Sequence, residues 1–273
     1  MQFYWAATSS RTHSINFGNR IGEFLKTRTA FVTGAAGGIG RATVERLCKH
    51  DIKVIAIDSS QANLDSLVAN VHGEISPVLL NISDWENTEK VITTLIAEHG
   101  TPDYLVNGAG INPLVDSSDK ISQQFYESVM DTNFTGTFLA SKLIISLMAK
   151  EKRGAVVNIA SVAGMRGWGG SSIYSASKGA MIAFTRSLAT EYGPAGIRVN
   201  AVCPGSIRTP MVLENLLAKN DLEGGFKRIA EKHPLGRIGE PQEVANAIWF
   251  LLSDEASFIN GAMLTVDGGL SAS

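Results

Sequence analysis

A glycine-rich octet near the start of this chain restricts the folds open to it more than any other feature. Residues 33–40 read Thr-Gly-Ala-Ala-Gly-Gly-Ile-Gly. An apolar run, residues 29–32, precedes them. Arg41-Ala-Thr-Val-Glu-Arg-Leu-Cys follows, with Val44, Leu47 and Cys48 at helical spacing. Strand, glycine turn and helix in that order are the context of a dinucleotide-binding fingerprint. Glycines let the backbone turn tightly and approach a pyrophosphate, which then rests on the positive N-terminus of the helix. The spacing is Thr-Gly-x-x-x-Gly-x-Gly, where Gly-x-Gly-x-x-Gly is commoner.

Apolar strands and helical patterns alternate through the rest of the chain. Strands are expected at residues 29–33, 53–58, 76–82, 103–107, 154–160, 198–203 and 262–266. Helical patterns cover 84–99, 122–150, 172–192 and 241–252. Val54-Ile-Ala-Ile57 is apolar throughout, as suits a parallel strand covered on both faces. Right-handed crossovers between such strands give an α/β fold with a doubly wound parallel sheet. The 273 residues, 44% hydrophobic, suffice for one large core or for two domains. No Pro/Ser linker, repeat or low-complexity run marks a boundary, so residues 29–273 read as one Rossmann-type domain.

The first 28 residues differ. They hold Arg11, His13, Arg20, Lys26 and Arg28, with no acid before Glu23. Two readings stand: an organelle-targeting segment, Arg- and Ser-rich and poor in acids, or an arm that packs on the domain or a partner subunit. The expected location is the cytoplasm, or an organelle matrix if the segment is a targeting signal.

A net charge of −2 with scattered basic residues gives no field for nucleic acid. No apolar run reaches the about 18 residues of a membrane-spanning helix. Cys48 and Cys203 fall in a predicted helix and strand and read as reduced core thiols. His13, His50, His72, His99 and His233 form no strand-end cluster and show no metal-ligand spacing, so no metal is expected. No Gly-x-Ser-x-Gly elbow surrounds Ser161.

The candidate chemistry lies in Ser161, Tyr174 and Lys178. Tyr174 and Lys178 sit four apart, on one face of a helix. An ammonium beside a phenol favours phenolate, so such a tyrosine can trade a proton near neutral pH. Lowering a phenol from about 10 to about 7 takes about 4 kcal/mol. One adjacent cation and a second positive charge, such as an oxidised nicotinamide, are the expected source.

In sequence order stand the glycine octet, Asn107-Gly-Ala-Gly110, Asn133, Ser161, Tyr174, Lys178, Pro204-Gly205 and Asp267-Gly-Gly269. In this order the chain resembles the short-chain dehydrogenase/reductase family, and in particular its 3-oxoacyl-carrier-protein reductases. The likeness runs from about Thr29 to Gly269. It implies seven strands in the order 3-2-1-4-5-6-7, flanked by helices, and a homotetramer or homodimer with the long helices buried between subunits. It also implies that Ser161 fixes the substrate oxygen and Tyr174 is the general acid and base. Lys178 then tunes Tyr174 and binds ribose, while Asn133 distorts its helix and holds a water in a proton relay.

Dinucleotide contacts are expected from Gly34, Ala36, Gly37, Gly38, Ile39 and Gly40 in the turn, and from Asn81 and Ile82 at the end of the third strand. Asn107, Gly108, Ala109 and Gly110 are expected to add to them. The resemblance implies that Pro204 and Gly205 open a segment, ending at Thr209, that holds the carboxamide end of the nicotinamide through Ile207 and Thr209. Gly108 stands where an asparagine is more usual, which weakens the bracing of the central strand or leaves it to a neighbour. Asp58 ends the second strand about 20 residues after the turn, where an adenosine ribose lies. Its carboxylate accepts from ribose hydroxyls and repels a 2′-phosphate, which favours NAD over NADP. Asp58 also suits the role of a helix cap.

The expected reaction is hydride transfer between nicotinamide and a small secondary alcohol or ketone. Met165, Trp168 and Met211, with Pro113 and the loop 206–232, are expected to line an apolar pocket beside Ser161 and Tyr174; the Met and Trp side chains suit a subunit interface or the core equally well. Two other readings are a 3-oxoacyl-thioester reductase and a silent dinucleotide-binding sensor or scaffold. The first calls for a basic patch near the cleft; Lys150, Lys152 and Arg153 form a small cluster that also suits a helix end. The intact Ser161, Tyr174 and Lys178 set argues against the second.

Overall fold

Among the described residues seven short strands carry the fold: β1 Thr29–Thr33, β2 Lys53–Asp58, β3 Ile75–Leu79, β4 Tyr104–Asn107, β5 Ala155–Ile159, β6 Arg198–Pro204 and β7 Met263–Val266. They form one sheet in the order β3-β2-β1-β4-β5-β6-β7, and each neighbouring pair is parallel. The computed structural model describes residues 27–115, 117–217 and 222–272. The arm or targeting readings concern residues 1–28, of which 1–26 lie outside the described residues.

Side chains alternate across each strand, and the sheet sorts them into two cores. Ala30, Val32, Val54, Ala56, Val106 and Val157 face one way. There they meet α1 (Gly38–Cys48), α2 (Gln61–Asn70) and α9 (Pro241–Leu252) through Val44, Leu47, Leu64, Leu67, Val244 and Ile248. Phe31, Ile55, Ile57, Leu105, Val156 and Val199 face the other way. They meet α3 (Trp85–His99), α5 (Gly136–Glu151) and α6 (Ser172–Tyr192) through Ile92, Leu95, Ile144, Met148 and Leu188. Burial on both faces is why Val54-Ile-Ala-Ile57 lacks the polar alternation of a half-exposed strand.

The helical pattern expected over 122–150 is not one continuous helix. It divides into α4 (Gln123–Met130), a π-helical turn at Asp131–Thr135, and α5. β3 is shorter than expected, ending at Leu79, so Asn81 and Ile82 lie in the loop beyond it. After β6 the chain forms α7 (Pro210–Leu217) and α8 (Leu222–Glu231). Among the described residues no helix is long and apolar enough to cross a membrane. No group of three or more His, Cys, Asp or Glu there is placed to hold a metal. Cys48 and Cys203 are free thiols.

Candidate active site

The strand order reverses direction between β1 and β4, and crevices open at the C-terminal ends of strands at such a point. A cleft of about 1110 Å³ lies there. Gly34, residues 37–40, Asp58, Asn81, Ile82 and residues 108–110 line one half of it. Ser161, Tyr174, Lys178, Pro204, Gly205, Ile207 and Thr209 join them on its wall. Sequence-distant motifs thus meet around one space.

The glycine turn is shaped for close approach. Gly34 has φ +63, and a Cβ there would stand 2.7 Å from the Gly108 carbonyl oxygen. A Cβ on Gly40 would come within 1.9 Å of the Gly34 carbonyl oxygen. Gly37 caps α1 in extended conformation without a side-chain bond. The orphan N–H groups of the first helical turn are therefore left for an anion. Asp58 accepts hydrogen bonds from the N–H of Ala36 at 3.0 Å and of Ser60 at 3.1 Å. It braces the turn while lining the cleft. An orphaned helix start and a carboxylate at the end of β2 fit the pyrophosphate and ribose of a dinucleotide.

Not every expected contact reaches this wall. Ala36 turns its N–H to Asp58 and is not on the cleft lining. Asn81 is on the lining, but its Oδ1 is engaged by the N–H and hydroxyl of Ser83 at 3.2 and 2.9 Å. Asn107 is fully buried and turned into the core, donating to Ser141 Oγ at 3.0 Å and Asn158 Oδ1 at 2.8 Å. The reason is register: Asn107 pairs with Asn158 across β4 and β5. The bracing that an asparagine at Gly108 would give is supplied by Thr33, whose hydroxyl accepts from the N–H groups of Gly108 and Ala109.

Ser161 follows β5 in extended backbone, and its hydroxyl accepts from the Ala163 N–H at 3.1 Å. Tyr174 and Lys178 project from α6. Burial pushes the Tyr174 phenol above its ordinary value, and its hydrogen bond with Ser161 opposes the rise. Lys178 is buried, and its Nζ donates to the Ile159 carbonyl at 2.7 Å. The Nζ stands 5.8 Å from the centre of the Tyr174 ring. Burial lowers the ammonium to about 8, with Cys203 opposing. Among the chain's own groups the ammonium points at a carbonyl and desolvation dominates the phenol, so the lowering expected from Lys178 together with an oxidised nicotinamide does not come from Lys178 by itself.

Asn133 sits in the π turn, fully buried behind the cleft wall. Its Oδ1 accepts from the Ile111 N–H at 2.8 Å. Its Nδ2 donates to the Ile111 carbonyl at 3.0 Å and to Ser177 Oγ at 3.0 Å. Ser177 in turn donates to the Tyr174 carbonyl at 2.7 Å. A Cβ on Gly110 would stand 3.3 Å from Asn133 Oδ1 and 3.4 Å from Lys178 Nζ, so the two groups converge beneath this glycine.

Pro113, Trp168, Met211, Val212 and Leu216 line the remaining part of the cleft. Met165, expected among them, is 49% exposed and off the wall. Glu214, Arg228 and Lys232 line this half as well. Their charges were not foreseen, because only the placement of α7, α8 and the turn after α8 brings these exposed side chains to the rim of the cleft. Lys232 Nζ lies 5.5 Å from the Trp168 ring centre. The cluster of Lys150, Lys152 and Arg153 is remote from this space. Arg153 pairs with Glu151 and with Asp103, which precedes β4 at the N-terminal ends of the strands, away from the cleft.

The sequence model described as enoyl-(acyl carrier protein) reductase matches residues 34–271. The 3-oxoacyl-[acyl-carrier-protein] reductase FabG of Thermotoga maritima is 38% identical over 252 residues, covering 90% of this chain and 98% of its own. Levodione reductase of Leifsonia aquatica is 36% identical over 253 residues, covering 90% and 94%. A crystal structure of levodione reductase superposes with a TM-score of 0.87 at 34% identity, covering 90% of this chain and 98% of that one. Actinorhodin polyketide ketoreductase with NADPH gives a TM-score of 0.86 at 30% identity, covering 90% and 98%. With the sheet order, the glycine turn and the Ser161, Tyr174 and Lys178 constellation, these likenesses place the chain in the short-chain dehydrogenase/reductase family, as an oxidoreductase that uses a nicotinamide dinucleotide.

Proposed function

We propose that this protein is an NAD(H)-dependent oxidoreductase that interconverts a secondary alcohol and its ketone, with Tyr174 as general acid and base. One observation carries this reading: Ser161, Tyr174 and Lys178 border the same cleft as Asp58 and the glycine turn. When bound, nicotinamide accepts or supplies the hydride and, oxidised, brings a positive charge. The chain's own groups do the rest. The Ser161 hydroxyl both donates and accepts, so it can hold the substrate oxygen in either direction. Tyr174 takes the hydroxyl proton in oxidation and returns it in reduction. Lys178 binds ribose hydroxyls, and Asn133 with the Ile111 carbonyl anchors the proton path behind it.

NAD is favoured because Asp58 holds a carboxylate where a 2′-phosphate would lie. The observation that Asp58 also braces Ala36 adds a cost to its loss. Replacing Asp58 by alanine is expected to weaken NADH and spare or improve NADPH, read as kcat/KM with each cofactor. An unchanged preference would sink the assignment. A 3-oxoacyl thioester is the second reading, supported by the FabG likeness and by Arg228 and Lys232 on the cleft wall. Reduction of 3-oxoacyl thioesters by NADH separates it from simple ketones. The assembly is proposed to be a homotetramer or homodimer.

A further inference from the structure

His233 lies two residues past the end of α8 and is 3% exposed. Its ring joins two parts of the site. Nε2 accepts a hydrogen bond from the Ser206 N–H at 3.2 Å, and Nδ1 lies 2.8 Å from the Ile229 carbonyl oxygen. An accepting Nε2 places the ring proton on Nδ1, which then donates to Ile229. Ser206 lies in the segment between Pro204 and Thr209 that borders the cleft. Ile229 lies on α8, whose side chains cover the substrate half. A Cβ on Gly205 would stand 3.0 Å from His233 Nε2, so ring and loop are in close contact.

We propose that His233 is a positioning residue that sets the 204–209 segment against the nicotinamide end of the dinucleotide and ties it to the substrate-covering helix. This rests on the proposed reading of that segment as the nicotinamide-side wall. Only the neutral ring with its proton on Nδ1 can make both bonds. The charged groups around it do not supply a substitute. Asp267 lines the small cavity beside His233, but accepts from the N–H groups of Gly269 and Ser271. Arg237 and Glu243, on the same cavity, pair with each other.

Two isosteric halves of the ring make the test. In His233→Gln the amide oxygen reaches the Nε2 position and keeps the Ser206 bond. In His233→Asn the amide nitrogen sits at the Nδ1 position and keeps only the Ile229 bond. Titration calorimetry with NADH and, separately, AMP reads both. His233→Asn is expected to bind NADH about tenfold more weakly with AMP affinity unchanged, while His233→Gln stays near wild type. Equal NADH affinities in the two variants, or a parallel loss of AMP, overturn the proposal. A wild type that binds neither NADH nor NADPH marks failure of the underlying dinucleotide reading instead. If either variant fails to fold, Ser206→Pro carries the test: it deletes the N–H donor and leaves the ring in place. NADH affinity is then expected to fall about tenfold with AMP affinity unchanged, and an unchanged NADH affinity overturns the proposal.

Discussion

Lys178 is 4% exposed and ends on a single carbonyl, that of Ile159. Its ammonium titrates near 8, against 10.5 for a free lysine. Between those values the unfolded chain holds a proton that the folded chain does not, so stability rises with pH across that window. Below about pH 8 the folded protein carries the whole cost of the buried charge. In Lys178→Met that dependence disappears. The wild type is expected to gain on the order of 3 kcal/mol relative to the variant between pH 8 and 10.5, read by chemical denaturation. A constant difference contradicts the assignment. At this scale the sequence made Tyr174 and Lys178 legible because four residues of helix bring their side chains to one face. The expected lowering of Tyr174 took no account of burial by distant elements, which raises the phenol. His233 was unread, because its partner Ser206 is 27 positions away.

Among the elements, the π turn at Asp131–Thr135 best shows what local pattern omits. Residues 122–150 have unbroken helical character, yet the turn opens where Asn133 bonds the Ile111 backbone from both ends of its amide. Asn133→Ala takes away the partner of the part-buried Ile111 N–H and carbonyl, for an expected loss of about 1 kcal/mol. Turnover should fall more than dinucleotide affinity; the opposite split would place Asn133 in binding alone. The glycine turn was legible because strand, glycines and helix are consecutive. What replaced the usual asparagine at Gly108 was not, since Thr33 supplies it from a neighbouring strand. A Cβ on Gly40 meets the Gly34 carbonyl at 1.9 Å. Gly40→Ala is therefore expected to abolish measurable NADH binding in calorimetry, and binding within twofold of wild type would contradict this geometry.

Over the whole molecule, the parallel sheet, the two-faced core and a cleft at a switch point follow from alternating apolar segments and right-handed crossovers, while the strand order was implied by the family resemblance and is the order found. The substrate half followed least, because α7 and α8 bring Glu214, Arg228 and Lys232 to the wall only through tertiary packing. Tyr126 on α4 remains 47% exposed, and the family resemblance puts long helices of this face between subunits. Light scattering is expected to give two or four times the 29.1 kDa chain mass, and a pure monomer would refute the assembly. The central claim is that Tyr174 moves the proton while nicotinamide exchanges the hydride. It is tested most directly by incubating the protein with NAD and a panel of secondary alcohols, hydroxy acids and 3-hydroxyacyl thioesters, beside Tyr174→Phe, and following NADH absorbance. The account predicts turnover in the wild type and a loss of about a hundredfold or more in the variant, with NAD affinity intact. Full turnover by Tyr174→Phe, or NAD binding by a wild type that oxidises nothing in the panel, would contradict it.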